Sequence, residues 1–269
     1  MRISFVGGGV MGEAIIKSLL TKGVASQEDI VVSDISPSRR DLLKEKYNVK
    51  TTKDNRQAVK GAEVVLLAIK PQDLTPVLRE LGVALTPEQL VLSIVAGATI
   101  DTIYRGLDRS HIVRAMPNMA AQISEAITVW TAAPEVSQQQ KELARSIFTA
   151  FGKEIYVVDE KYVDMATALS GSGPAYVFLV IEALVDAGVH IGLPREIAEK
   201  LVLETVLGSA HTIQVMDKHP AELRSIVTSP GGTTAEGLLQ LEKGGLRSLL
   251  IHAVIAAYEK AKTLGTKES

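Results

Sequence analysis

Hydrophobic positions in the first half of the chain fall in short, near-continuous runs. These are Ile3–Val6, Ile30–Ser33, Val64–Ile69, Leu90–Val95, Ile112–Arg114, Ile127–Trp130 and Ile155–Val158. Runs rich in β-branched residues, with little polar alternation, predict parallel strands covered on both faces. Between them, apolar residues recur at helical spacing in Gly12–Leu20, Ser38–Tyr47, Thr99–Leu107 and Ser137–Phe151. Strand and helix in alternation predict an α/β fold, a Rossmann-like doubly wound sheet.

After Asp159 the strand pattern stops and long helical patterns follow. Ser172-Gly173-Pro174 opens one helix, with the proline in a tolerated first-turn position. Gly192 and Pro194 close it and open the next, Ser229-Pro230-Gly231-Gly232 breaks the chain again, and Gly244-Gly245 precedes a last helix from about Leu246 to Leu264. The expected division is residues 1–159 as a dinucleotide-binding domain and 160–269 as an all-α domain. Its apolar stripes predict burial against a second subunit.

The chain has 269 residues, enough for two modest domains with real cores. A formal net charge of −2 argues against a nucleic-acid or polybasic membrane binder. With no cysteine, thiol catalysis, disulfides and Cys-based zinc sites are excluded, in keeping with a reducing cytoplasm. Aromatic residues are only 4%, which disfavours stacking platforms for single-stranded nucleic acid. The opening residues Met1–Val6 do not read as a signal peptide. The most apolar later window, Ala175–Leu193, contains Glu182, Asp186 and His190, which disfavour a membrane span. No metal site is expected, and His111, His190, His211, His219 and His252 are too scattered to form one. A cytoplasmic enzyme or small-molecule binder remains.

Gly7-Gly8-Gly9-Val10-Met11-Gly12 follows the first strand directly and contains G-x-G-x-x-G at Gly7, Gly9 and Gly12. Gly7 makes the turn, Gly9 admits a pyrophosphate, and Gly12 allows close helix–strand contact, with Val10 and Met11 at the helix start. The second strand ends near Asp34, about 20 residues on, where an acid holds the ribose hydroxyls of NAD. Ser36, Arg39 and Arg40 follow, and guanidinium groups suit the extra phosphate of NADP. The alternative is a solvated first helical turn, and the two signals leave NADH and NADPH both open. Other strand ends supply Ala68, Lys70 and Pro71 for cofactor phosphate or ribose, and the small residues Ala96 and Gly97 leave room for a nicotinamide. Asn118 is placed to hydrogen-bond the carboxamide or the substrate. The plainer alternatives are a solvated Lys70, and Arg114 and Asn118 serving loop carbonyls.

Two segments of the second half put glycine and small hydroxyl residues before a helix. They are Ala168-Leu169-Ser170-Gly171-Ser172-Gly173-Pro174-Ala175-Tyr176 and Val227-Thr228-Ser229-Pro230-Gly231-Gly232-Thr233-Thr234. Free N–H groups, a positive dipole end and hydroxyls together make an anion site. With the glycine loop, A-x-K-P-Q at Ala68–Gln72 and R-x-M-P-N at Arg114–Asn118 preceding them in that order along the chain, the sequence resembles the pyrroline-5-carboxylate reductase family. The likeness runs from Ile3 to about Leu264. It departs at Met119-Ala120, where Thr-Pro is common, and at Ile123–Ala126, where a glycine turn is common.

The resemblance implies reduction of a cyclic imine carboxylate, 1-pyrroline-5-carboxylate, to L-proline with NADPH or NADH, the last step of proline synthesis. It also implies a homodimer sharing its active sites, often assembled into a decamer. Ser229, Gly231, Gly232 and Thr233 are candidates for holding the substrate carboxylate. Thr233-x-x-Glu236 reads as a capping box, which occupies Thr233 and leaves Thr234 to meet the ring nitrogen as the catalytic candidate. Ser170 is expected on the nicotinamide side, the alternative being a structural helix start. Two competing readings are another Rossmann-type imine or β-hydroxyacid reductase, and a non-catalytic nucleotide-binding protein. The former class usually relies on a lysine that neither small-residue motif contains.

Overall fold

A computed structural model describes residues 1–266. The first part contains β1 (Ile3–Val6), α1 (Val10–Thr21), β2 (Ile30–Ser33), α2 (Pro37–Tyr47), β3 (Lys50–Thr52), α3 (Asn55–Val59), β4 (Val64–Leu67) and α4 (Leu74–Gly82). Then come β5 (Leu90–Ser93), α5 (Ile100–Leu107), β6 (Ile112–Met116), β7 (Ala126–Ala132), α6 (Gln138–Ala150) and β8 (Gly152–Tyr156). One sheet has the order β3-β2-β1-β4-β5-β6-β7-β8. Strands β1 to β6 are mutually parallel, and the order reverses between β1 and β4. Ligands of such sheets lie at that switch point, outside the carboxyl ends of the strands.

The run at Ile127–Trp130 lies within β7, and that at Ile155–Val158 only overlaps the end of β8, with Val157 and Val158 beyond the strand and Val158 exposed; β7 is antiparallel to β6, and β8 is parallel to β7. Residues 117–125 are too few for the crossover a parallel β7 needs, so the chain turns back on itself. Strand β3, Lys-Thr-Thr, has no apolar run and lies at the sheet edge, and helix α3 is five residues long. Neither carries a hydrophobic period. Helix α4 buries Leu74, Leu78 and Leu81.

The core follows from the pattern. Phe5, Ile15, Ile16, Leu19, Val65, Leu66 and Leu92 are fully buried, each contributing about 1.5–3 kcal/mol on the usual area scale. At the far end Trp130 packs its ring 5.4 Å from Phe148 and 4.7 Å from Tyr156.

Beyond the sheet lie α7 (Lys161–Ala166), a π-helical segment Thr167–Gly171, α8 (Gly173–His190), α9 (Arg195–Met216), α10 (Pro220–Ile226), α11 (Thr233–Lys243) and α12 (Leu246–Thr266). By packing, one compact unit runs from Met1 to Ser172 and takes in the chain from Ala256, and the other is Gly173–Ile255. The division at 159/160 therefore marks the end of the sheet, and α7 with the π segment packs in the first unit. In the second unit few side chains are buried, Val185 and Ala198 among them, while Phe178, Leu179, Leu207 and Leu249 are at least half exposed. Gly188 faces Ala198 where α8 meets α9, since a Cβ there would lie 3.0 Å from the alanine methyl. The helical run Lys161–His190 is long and apolar enough to cross a membrane by length and composition alone.

Candidate functional site

The glycine loop joins β1 to α1 at the switch point. Gly7 has φ of +100°, and a Cβ on it would stand 2.5 Å from the Ala68 carbonyl oxygen. A Cβ on Gly12 would stand 2.7 Å from the Gly7 carbonyl oxygen. Both therefore serve the close approach of loop, helix and β4. Gly8 is packed too, but against a side chain, with Leu43 Cδ1 at 2.5 Å from its would-be Cβ. Gly9 differs: a Cβ there meets nothing within 4 Å. No protein contact requires that glycine, whereas a bound group approaching the backbone would. Helix α1 starts at Val10, earlier than its apolar period suggests, and Gly9 is its cap with no side-chain hydrogen bond. The N–H groups of Val10, Met11 and Gly12 thus lie in the turn that has no intrahelical acceptors. This donor set fits the diphosphate of a dinucleotide.

Asp34, at the end of β2, accepts the Gly8 N–H through Oδ2 and the Ser36 N–H through Oδ1, each at 2.8 Å. The Ser36 hydroxyl is 2.9 Å from that of Ser38. Arg39 turns into the protein. Its Nε and Nη2 donate to the Gly8 carbonyl at 2.8 and 2.6 Å, and Nη2 donates to Glu13 Oε2 at 2.7 Å. Arg40 donates to the Asp34 and Ile35 carbonyls. Neither arginine is the solvated first turn considered above. Glu13 also accepts from Lys46 Nζ and the Tyr47 hydroxyl, both at 2.9 Å. Burial pushes its carboxyl up, but the bonds from Arg39, Lys46 and Tyr47 outweigh that and hold it at about 2.

The neighbouring strand ends converge on the loop. Ala68 donates its N–H to Val6 at 2.8 Å and lies against Gly7, while Lys70 is exposed and Pro71 begins a short 3₁₀ turn. After β5, Ala96 is half-buried and Gly97 turns with φ of +78°. Asn118 is half-buried after β6, and its Oδ1 accepts the Ile127 N–H at a long 3.4 Å. Ser124 supplies the turn where a glycine is common: it takes φ of +60°, with its hydroxyl 3.0 Å from that of Ser18. Ser170 sits in the π segment and donates to the Ala166 carbonyl at 2.9 Å. Met116 lies against Gly171, whose would-be Cβ is 3.0 Å from the methionine methyl. Arg114 is buried within β6, where Glu160 and Asp164 from the start of the helical segment bind its guanidinium. These two carboxylates carry no sequence motif that would point to them.

In the helical unit, the loop Ser229–Gly232 turns at Gly231, with φ of +68°, into α11. The capping box at Thr233 does not form. Helix α11 starts at Thr233 itself and its cap is Gly232, so the third helical position is Ala235 and Glu236 falls one residue too late. A Cβ on Gly232 would lie 2.4 Å from Ser229 Oγ, so a side chain there would displace the serine hydroxyl from the loop. With no side-chain cap, the N–H groups of Thr233 and Thr234 stand in the first turn next to their own hydroxyls. Both threonines are thereby available.

A parallel sheet with a glycine loop at its switch point, followed by a helical unit that opens with small-residue turns, defines a Rossmann-type dinucleotide-binding protein with a second, helical domain. Residues 160–264 match the family model for pyrroline-5-carboxylate reductase dimerisation, and residues 2–97 match that for NADP oxidoreductase, coenzyme F420-dependent. The chain is 46% identical to a pyrroline-5-carboxylate reductase of Synechocystis over 99% of both chains. It superposes on the structure of a pyrroline-5-carboxylate reductase from Coxiella burnetii with TM-score 0.89 and 42% identity, over 98% of each chain. Against a Plasmodium falciparum pyrroline carboxylate reductase solved with NADP bound, the TM-score is 0.90 and the identity 32%, again over 98% of each. The chain belongs to the pyrroline-5-carboxylate reductase family.

Proposed function

We propose that the chain reduces 1-pyrroline-5-carboxylate to L-proline with NADH or NADPH, the last step of proline biosynthesis. The observation that carries this reading is the uncapped start of α11 behind Ser229–Gly232. A carboxylate placed there meets two first-turn N–H groups, the hydroxyls of Ser229 and Thr233, and a positive dipole end. The Thr234 hydroxyl then hydrogen-bonds the ring nitrogen. When bound, the nicotinamide supplies the hydride that the C=N carbon receives. A protonated imine is already electrophilic, so the chain's side chains orient and do not attack.

For the cofactor, Gly7, Gly9, Val10, Met11 and Gly12 hold the diphosphate, Asp34 and Ser36 face the adenosine ribose, and Ala68, Lys70 and Pro71 flank it. Ala96, Gly97, Asn118 and Ser170 surround the nicotinamide. The exposed apolar faces of α8 and α9 pair with a second copy, and the dimers assemble into a decamer. The same pairing accounts for the apolar run at Lys161–His190 without a membrane. The enzyme acts in the cytoplasm and binds no nucleic acid.

The test compares 1-pyrroline-5-carboxylate with 1-pyrroline, which lacks the carboxylate. Two charge-assisted hydrogen bonds are worth roughly 3 kcal/mol, so kcat/KM falls about 100-fold without them. Equal efficiency with both imines would refute the assignment of the α11 start.

A further inference from the structure

Glu13 stands in the first turn of α1, beside the proposed diphosphate cradle, where a carboxylate opposes anion binding. The structure answers its charge with Arg39, Lys46 and Tyr47 of α2. Arg39, in the first turn of α2 just beyond β2, is a group whose chemistry suits a ribose phosphate. Two of its three nitrogens are engaged elsewhere: Nη2 serves both Glu13 and the Gly8 carbonyl, and Nε serves Gly8. Nη2 belongs to both paired-donor edges of a guanidinium, so neither edge is left whole for a phosphate. Arg40 is turned to the Asp34 and Ile35 carbonyls. Meanwhile the Asp34 carboxylate is fixed in place by the Gly8 and Ser36 N–H groups.

We propose that Glu13 is a specificity-determining residue: by holding Arg39 against the glycine loop it leaves Asp34 to meet the adenosine ribose, and so favours NADH over NADPH. Arg39 is then a positioning residue for the loop that serves both cofactors alike. A fixed carboxylate accepts ribose hydroxyls and repels a 2′-phosphate. The inference rests on the cofactor reading above.

Calorimetric titration of the full chain with NAD⁺ and with NADP⁺ reads the preference without turnover. The unaltered chain binds NAD⁺ more tightly, and Glu13→Gln, which removes the charge that strengthens the hold on Arg39, shifts the ratio of dissociation constants about ten-fold toward NADP⁺. Arg39→Met weakens both cofactors by similar factors, and in Glu13→Gln/Arg39→Met the shift disappears. Tighter NADP⁺ binding by the unaltered chain, an unmoved ratio in Glu13→Gln, or an NADP⁺-only loss in Arg39→Met each overturns the proposal. Binding of neither nucleotide by the unaltered chain overturns the cofactor reading along with it.

Discussion

Arg114 Nη1 lies 2.8 Å from Glu160 Oε1, and that same oxygen accepts the Ile100 N–H at 2.9 Å. One carboxylate thus ties the buried arginine of β6 to the start of α5 and to the helix that leads into the π segment. Removing the guanidinium leaves Glu160 and Asp164 facing each other. Both retain some access to water, 32% and 19%, so the cost falls at the low end for a broken buried pair. Arg114→Met is expected to lose about 3 kcal/mol of stability, read from the urea midpoint. A midpoint unchanged from that of the unaltered chain would show that the pair is not structural.

Gly7 and Gly9 separate fold from ligand. Gly9→Val adds a side chain where the protein has nothing within 4 Å, so the fold is kept and dinucleotide binding is lost. Gly7→Ala places a methyl 2.5 Å from a backbone oxygen at φ of +100°, and lowers stability by about 1–3 kcal/mol or more. Thermal melts and nucleotide titration of both variants check this. A folded Gly9→Val that binds normally would remove the loop from the cofactor site.

Glu13 predicts part of the acid limb of the stability profile. Its folded value near 2 lies below the ordinary 4.5, so its contribution is present above about 4.5 and is lost as pH falls toward 2. The stability difference between the unaltered chain and Glu13→Gln should be greatest near neutrality and shrink through that window. A constant difference from pH 6 to pH 3 (about where most of the effect lies) would contradict the ion-pair account.

Thr234→Ala should lower turnover of the cyclic imine about ten-fold or more while dinucleotide affinity stays as it was. Steady-state kinetics beside nucleotide titration decide it. Unchanged kinetics would remove Thr234 from the site.

Much of this is legible in the sequence. Each apolar run up to Trp130 falls on a strand, Ile155–Val158 overlaps only the end of β8, and the glycine loop stands between β1 and α1 as its spacing requires. What escaped was geometry set by partners distant in sequence. Strand direction at β7 depends on a short connection, not on the Ile127–Trp130 pattern. Edge strand β3 has no apolar signal at Lys50–Thr52. The single-residue shift of the α11 start, which frees Thr233, depends on Gly231 and on the packing of Gly232 against Ser229. Arg39 reads as a phosphate ligand until Glu13, far along the chain, is seen to hold it. Gly8 looks like a spacer until Leu43 is found beneath it.

The most direct test of the central claim follows cofactor oxidation and proline formation together in one reaction with 1-pyrroline-5-carboxylate. The account predicts imine-dependent oxidation of NADH or NADPH matched mole for mole by proline. A folded chain that binds the nucleotide yet consumes none of it in the presence of the imine would contradict the account.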